Sequence, residues 1–363
     1  MSSAAPAILL PLDRARVAFY RLFGSSIGPW FASRELRVTV IACSVLLTSI
    51  LGALFAPLYM LALGPIVMGV PHIVSDLRYL VARPGLHKRG LTSLSLAAFI
   101  VAGGALNDLR FVCGGVVMAI LLGEGSLPRK VVLGACAAPL VAGTLLYPGY
   151  AQLALAHGHN FIAVALWLGW ARVTDPERGP RGWATRRSLV ALPMVVLTAL
   201  VVTFVAGGFD SVLAKAPSWL PPIGQSMRSH AASLAPGFGG AWPLRLVGLF
   251  AFAQAVHYGI WLRLVPEDDR PRRAPRSFSS SWVALRQDLG LPLLLTAVAL
   301  AIIFAGWAVV DLIGARSGYL RFAVFHGQLE VVAATLFLVE RRRIGALELP
   351  REVEPARQTL RIS

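Results

Sequence analysis

Residues 58–82, LYMLALGPIVMGVPHIVSDLRYLVA, decide the fold. A helix needs about 20 predominantly apolar residues to cross a bilayer. This stretch is long enough, yet it carries two ionisable groups one helical turn apart, His72 and Asp76. Scanned outward with the same window, the chain repeats the pattern near 38–56, 91–106, 110–123, 130–147, 151–172, 188–208, 243–265, 290–314 and 319–340. The expected fold class is all-α, a polytopic transmembrane helical bundle of about ten spans. Composition agrees: 56% of residues are hydrophobic, 14% are charged and the mean hydropathy is +0.67. That is more apolar than one soluble core of this size requires.

The formal net charge of +16 does not indicate a nucleic-acid partner, because the basic residues fall in short strips between apolar runs rather than on one polar surface. Arg34 and Arg37 precede the first segment, Arg83, Lys88 and Arg89 follow the second, and Arg129 and Lys130 follow the fourth. Arg172, Arg178, Arg181, Arg186 and Arg187 follow the sixth. Arg263, Arg270, Arg272, Arg273, Arg276 and Arg286 follow the eighth, and Arg341, Arg342 and Arg343 close the tenth. The alternate connections, at Pro57, at Asn107 and Asp108, and at 148–150, are poor in base. Basic loops stay in the cytoplasm, so an N-in/C-in topology is expected, in a bacterial inner membrane.

Three parts follow: a cytoplasmic N-terminal segment, 1–37; a single transmembrane domain, 38–340; and a cytoplasmic tail, 341–363. Residues 1–12 lack the basic region and apolar core of a signal peptide, so no cleavage is expected. Arg14, Arg16 and Arg21, set among Val17, Phe19, Tyr20 and Phe23, suit a short helix over 13–23 on the anionic lipid surface. The long outer connection, 209–242, holds Pro217, Trp219, Pro221 and Pro222 and reads as an interfacial cap or an ordered loop. Cys43, Cys113 and Cys136 lie in apolar stretches without a metal or disulfide spacing, and read as packing residues.

Ionisable side chains inside spans are costly and mark function. Five of the seven histidines fall there: His72, His157, His159, His257 and His326. His72 with Asp76, and His326 with Glu330, are spaced i,i+4, so each pair presents an imidazole and a carboxylate on one helix face. Asp76 and Glu330 are candidate catalytic bases or ligands. His157 and His159 are about 200° apart on an undistorted helix, so one of them faces the site unless Gly158 distorts the turn. His87, in a basic loop, and His230, in the outer loop, read as solvated surface groups. Gln152, Gln254 and Gln328 read as interhelical contacts or site groups.

Imidazoles and carboxylates converging in an apolar bundle fit a first-row transition metal. Iron, zinc or manganese satisfies the donor set, and haem between two axial histidines is a competitor. The same groups would serve a proton- or cation-coupled transporter, for which Pro65, Pro71, Pro139 and Pro193 would be helix-breaking points. The segment from Gly69-Val70-Pro71-His72 to Asp76, followed by further histidine-bearing helices, resembles the bacterial and archaeal Brp/Blh family of β-carotene dioxygenases. Ile73 stands where that pattern has glycine. The resemblance implies a non-haem iron site and oxidative cleavage of a carotenoid double bond to retinal. It carries His72 over as a ligand by position, and His157, His159, His257 and His326 by helix context. The expectation is an intramembrane metal-dependent oxygenase acting on a lipophilic substrate that enters from the membrane lipids.

Overall fold

The computed structural model describes residues 7–32, 34–173, 180–215, 226–268 and 277–340. Pro217, Trp219, Pro221 and Pro222 of the outer connection lie outside the described residues. So do Arg178, Arg270, Arg272, Arg273, Arg276 and the tail 341–363, together with the side chains of Arg34, Arg172, Arg181, Arg186 and Arg187.

Helices follow one another in the order α1 (Leu10–Ala32), α2 (Arg34–Phe55), α3 (Pro57–Asp76), α4 (Leu91–Leu106), α5 (Leu109–Leu122), α6 (Leu127–Leu146), α7 (Pro148–Val173) and α8 (Pro180–Ala206). Short α9 (Asp210–Ala214) and α10 (Met227–Leu234) precede α11 (Trp242–Gly259), α12 (Val265–Asp268), α13 (Phe278–Leu289), α14 (Leu291–Val310) and α15 (Leu312–Glu340). No strand occurs among the described residues. Five helices are long and apolar enough to cross a membrane: Glu35–Phe55, Pro57–Ala82, Leu127–Leu146, Leu291–Val310 and Leu312–Glu340. The chain is an all-helical membrane protein.

The other expected spans are helical but fall short in length or apolarity. The stretch 91–123 is a hairpin of two short helices, of 16 and 14 residues. At 1.5 Å per residue they reach about 24 and 21 Å, less than the ~30 Å hydrocarbon thickness. Their turn is set by Asn107, left-handed at φ 50, and by Asp108, whose carboxylate accepts the Arg110 backbone N–H at 2.9 Å. Among its described side chains, α8 is apolar over Val190–Ala206. Helix α11 is too polar to face lipid because it does not face lipid: from Val247 to Tyr258 all but Ala255 are buried, packed against α2, α3, α7, α8 and α10.

Around α11 the bundle grades outward. On α15 the inner face from Tyr319 to Val339 is buried, whereas α14 buries only Leu294 and Phe304 and leaves Val309 and Val310 88% exposed. Gly69 lets α15 approach α3 closely, because a Cβ there would enter the ring of Tyr319. That ring is itself pinned, buried against Phe304 at 5.6 Å. Pro65 and Pro71 in α3, Pro139 in α6 and Pro193 in α8 do not interrupt their helices.

Among the described residues, the basic groups Arg37, Arg78 and Arg89 lie at one end of the bundle. Arg37 pairs with Glu267 at 2.6 Å, Arg78 with Asp288 at 2.7 Å, and Arg89 with Glu340 through two bonds of 2.6 and 2.9 Å. Helix α1 lies at this end too, where Asp13 accepts the backbone N–H groups of Phe278 and Ser279 and caps α13. At the other end α10 folds onto α11. This corrects the expectation for His230: it is buried, 3% exposed, not solvated. Burial, with the charge of Arg316 adding, pushes its pKa down to about 4.

Replacing Gly69 with Ala drives a methyl group into an immobile ring. Its thermal unfolding in detergent should show a loss of about 1–3 kcal/mol. Gly134→Ala, in the interior of α6 where a Cβ meets nothing within 4 Å, should instead raise stability by about 0.5–1 kcal/mol.

Candidate metal centre

Four helices bring their polar residues to one interior point. His72 and Asp76 come from α3, His159 from α7, His257 from α11, and His326 and Glu330 from α15. The i,i+4 spacing of His72 and Asp76 acts as expected from helix geometry: His72 Nε2 lies 4.0 Å from Asp76 Oδ2. Across helices, His257 Nε2 lies 3.5 Å from Glu330 Oε1. One ring nitrogen from each of His72, His257 and His326 lies within 4.8 Å of the other two. Ring centroids of His72 stand 5.3 Å from His257 and 4.7 Å from His326. The ring of His159 closes the group at 5.3 Å from His257 and 5.4 Å from His326.

Two of these rings are oriented by their own helices. His159 Nδ1 donates to the Leu155 carbonyl at 3.0 Å, and His326 Nδ1 donates to the Ala323 carbonyl. In a neutral imidazole that leaves Nε2 with its lone pair available. The opposite situation holds for the rest. Both oxygens of Asp76 and Oε2 of Glu330 are buried without a hydrogen bond, and the ring nitrogens of His72 and His257 lack one of good geometry, their nearest backbone partners being at Gly69 and Met68 for His72 and at Asn160 for His257. Buried polar groups are almost always paired, so this many orphans at one point mark a candidate site, one whose three histidines could hold a metal ion. Two ligands bonded at about 2.1 Å are at most about 4.2 Å apart, so adjustments under an ångström would seat the three histidines on one ion. The two carboxylates match the charge of a divalent metal, and among the described residues neither is ion-paired to an Arg or Lys.

Two π-helical turns flank the group. Residues Leu77–Ala82 follow Asp76 directly, and Ile260–Leu264 follow Gly259, two residues beyond His257. Such turns insert an extra residue and re-aim side chains, often at functional sites. Here the second one turns Trp261 so that its indole N–H donates to Glu330 Oε1 at 2.7 Å. The Ser75 hydroxyl donates to the Trp261 carbonyl at 2.6 Å and ties the end of α3 to the second turn.

His157 is not part of the group. Its Nε2 donates to the Leu234 carbonyl at 2.9 Å, and its ring meets Phe250. It holds α10 over the bundle. The physical reason is the opposed direction of residues two apart on an undistorted helix; α7 runs through Gly158 without a break. His87 is exposed at the bundle end. Gln152 donates to the Asn107 carbonyl at 3.3 Å, an interhelical contact, and Gln254 and Gln328 are buried. Sequence reasoning passed over Trp261, for which the four-residue spacing from His257 was the available signal. It also passed over Tyr258, whose ring stands 4.8 Å from His72.

Compared with protein-family models, with curated proteins and with solved structures, the chain matches none.

His159→Ala should lower the metal retained by purified protein, measured per chain by mass spectrometry, while His157→Ala should retain it in full. The second variant should instead lose about 0.5–1.5 kcal/mol of stability, the value of one hydrogen bond.

Proposed function

We propose that this chain is an intramembrane metalloenzyme, a non-haem iron oxygenase acting on a lipophilic, carotenoid-like or lipid-like substrate. One observation carries the reading: the orphaned nitrogens and carboxylate oxygens of His72, Asp76, His257 and Glu330 converge with His326 inside an apolar bundle. Imidazole and carboxylate donors suit iron among the first-row metals. The mutual edge contacts of the rings leave no flat slot between an axial pair, which weighs against haem. Unbroken helices at the four prolines remove a feature that would favour a transporter.

In this reading His72, His257 and His326 hold the metal, with His159 as a fourth imidazole. Asp76 and Glu330 supply the neutralising charge or accept protons beside it. Bound ferrous iron would supply the electron source that lets dioxygen react with a substrate double bond. In the cleavage the Brp/Blh resemblance suggests, the two oxygen atoms of one dioxygen end on the two carbons that part, giving two carbonyl products. The protein's own work is positional. The Leu155 and Ala323 carbonyls fix two rings, Trp261 holds Glu330 in place, and the surrounding apolar helices exclude water.

The topology we infer has ten passages through a bacterial cytoplasmic membrane, with both termini inside. The gathering of Arg37, Arg78 and Arg89 at one end supports it, since basic connections stay cytoplasmic.

Elemental analysis and an absorption spectrum of detergent-purified protein test the function. Stoichiometric iron without a Soret band is expected. His72→Ala and His326→Ala should abolish bound iron, and Asp76→Asn and Glu330→Gln should weaken it by about 10–100-fold if those groups act behind the ligands. A Soret band would point to haem, and absence of metal from the wild type would leave the transporter reading ahead.

A further inference from the structure

The face of α15 that carries His326 and Glu330 stays polar toward the start of the helix. Arg316, Tyr319, Ala323, His326 and Glu330 follow one another at three- and four-residue spacings, so they form one stripe along it. Turned to lipid, such a stripe would leave a guanidinium and a phenol in hydrocarbon. It is turned inward instead, with Tyr319 and Ala323 buried. On α11 the facing residues are Gln254 and Tyr258, one turn apart.

Helix α3 marks the level of each side chain. The Arg316 ε N–H donates to the Leu61 carbonyl at 2.7 Å. The Tyr258 ring lies over Gly64, where a Cβ would stand 3.5 Å from its edge, and its centroid is 4.8 Å from that of His72. The Tyr319 hydroxyl ends over Gly69. From Leu61 to His72 the helix rises about 16 Å, so these groups line a path from the metal centre to the α10 end of the bundle. There His230 feels the charge of Arg316.

Polar atoms along this path lack protein partners. The Tyr319 hydroxyl and Nε2 of His230 are buried without a hydrogen bond. Oε1 of Gln254 lacks one of good geometry, its neighbour being the Tyr258 hydroxyl. Among the described residues no carboxylate pairs with Arg316. Tyr258 and Gln254, although in the middle of the bundle, keep 7% and 9% of their surface open to a water molecule. Buried polar groups in this situation are bridged by water, each molecule joining about three of them. The order of the groups suits a chain of such bridges, with guanidinium and phenol donors toward the α10 end and carboxylate acceptors at the centre.

We propose that α3, α11 and α15 enclose a file of water molecules, running from Arg316 at the α10 end past Tyr258 and Tyr319 to the edge of the histidine and carboxylate cluster. The lipid-facing helices exclude water from the sides, and this file admits it along the axis. It supplies exchangeable water to a centre otherwise sealed in hydrocarbon, whichever metal the histidines hold.

Radiolytic labelling in heavy-oxygen water tests it, because hydroxyl radicals made from a water molecule mark the side chains beside it. Full-length protein in detergent would be mixed with heavy-oxygen water, given an X-ray pulse after a variable delay, and read by mass spectrometry. Tyr258 and Tyr319 should carry the heavy isotope from the shortest delays, while Phe252, fully buried in the apolar core, stays unmodified. Arg316→Phe, which sets an apolar ring at the mouth, should slow uptake at Tyr258 by about tenfold through dewetting, with Phe252 still unmodified as the sign that the fold is kept. Labelling of Tyr258 and Tyr319 no greater than that of Phe252 in the wild type, which needs no variant, would overturn the proposal. So would retention of light oxygen at those tyrosines, the mark of trapped water, or uptake indifferent to Arg316→Phe. None of these readings bears on iron content, so failure here is distinct from failure of the metal reading.

Discussion

Taking a carboxylate out of water costs several kcal/mol even after relaxation, and this bundle buries two of them, Asp76 and Glu330, at 0% exposure. Neither is ion-paired to an arginine or lysine among the described residues. Imidazoles from four helices surround them. Such a centre is tolerable if the carboxyls hold protons or if something positive completes them, and both ways depend on keeping those helices together. Gly69 brings α3 against α15, and α11 is sheathed on nearly every side. The second π turn is tied to α3 by the Ser75 hydroxyl on the Trp261 carbonyl.

The same constraint explains how unevenly apolar the helices are. Those at the periphery, α6 and α14, are uniformly hydrophobic because lipid is their neighbour on most sides. The innermost helix, α11, carries Gln254 and His257 and fails a simple hydropathy test because its neighbours are other helices. Charge is expelled to the ends, where Arg37, Arg78 and Arg89 find carboxylates on distant segments and clamp the connections.

Much of this was legible in the sequence because it depends on local periodicity. Apolar runs announced helices, the i,i+4 pairs announced shared faces, and the spacing of His157 and His159 announced that they diverge. Which of those two turns inward was not legible, since it depends on the rotation of α7 about its own axis, set by packing against α11 and α15. Nor was the burial of His230, which follows from α10 folding back over the bundle. The hairpin of α4 and α5 was legible as well, since the segments 91–106 and 110–123 fall on its two helices and Asn107 and Asp108 mark the turn between them. Trp261 acquires its contact with Glu330 only through a π turn, which periodicity at 3.6 residues does not foresee.

The central claim is that one metal ion completes the cluster of His72, His257 and His326. X-ray absorption at the iron edge of the purified protein reads the ligand shell directly. The account predicts a shell of nitrogen and oxygen atoms near 2.1 Å with the outer-shell scattering of at least three imidazoles, diminished by one ring in His257→Ala. A shell without imidazole scattering, or one unchanged by that substitution, would contradict it.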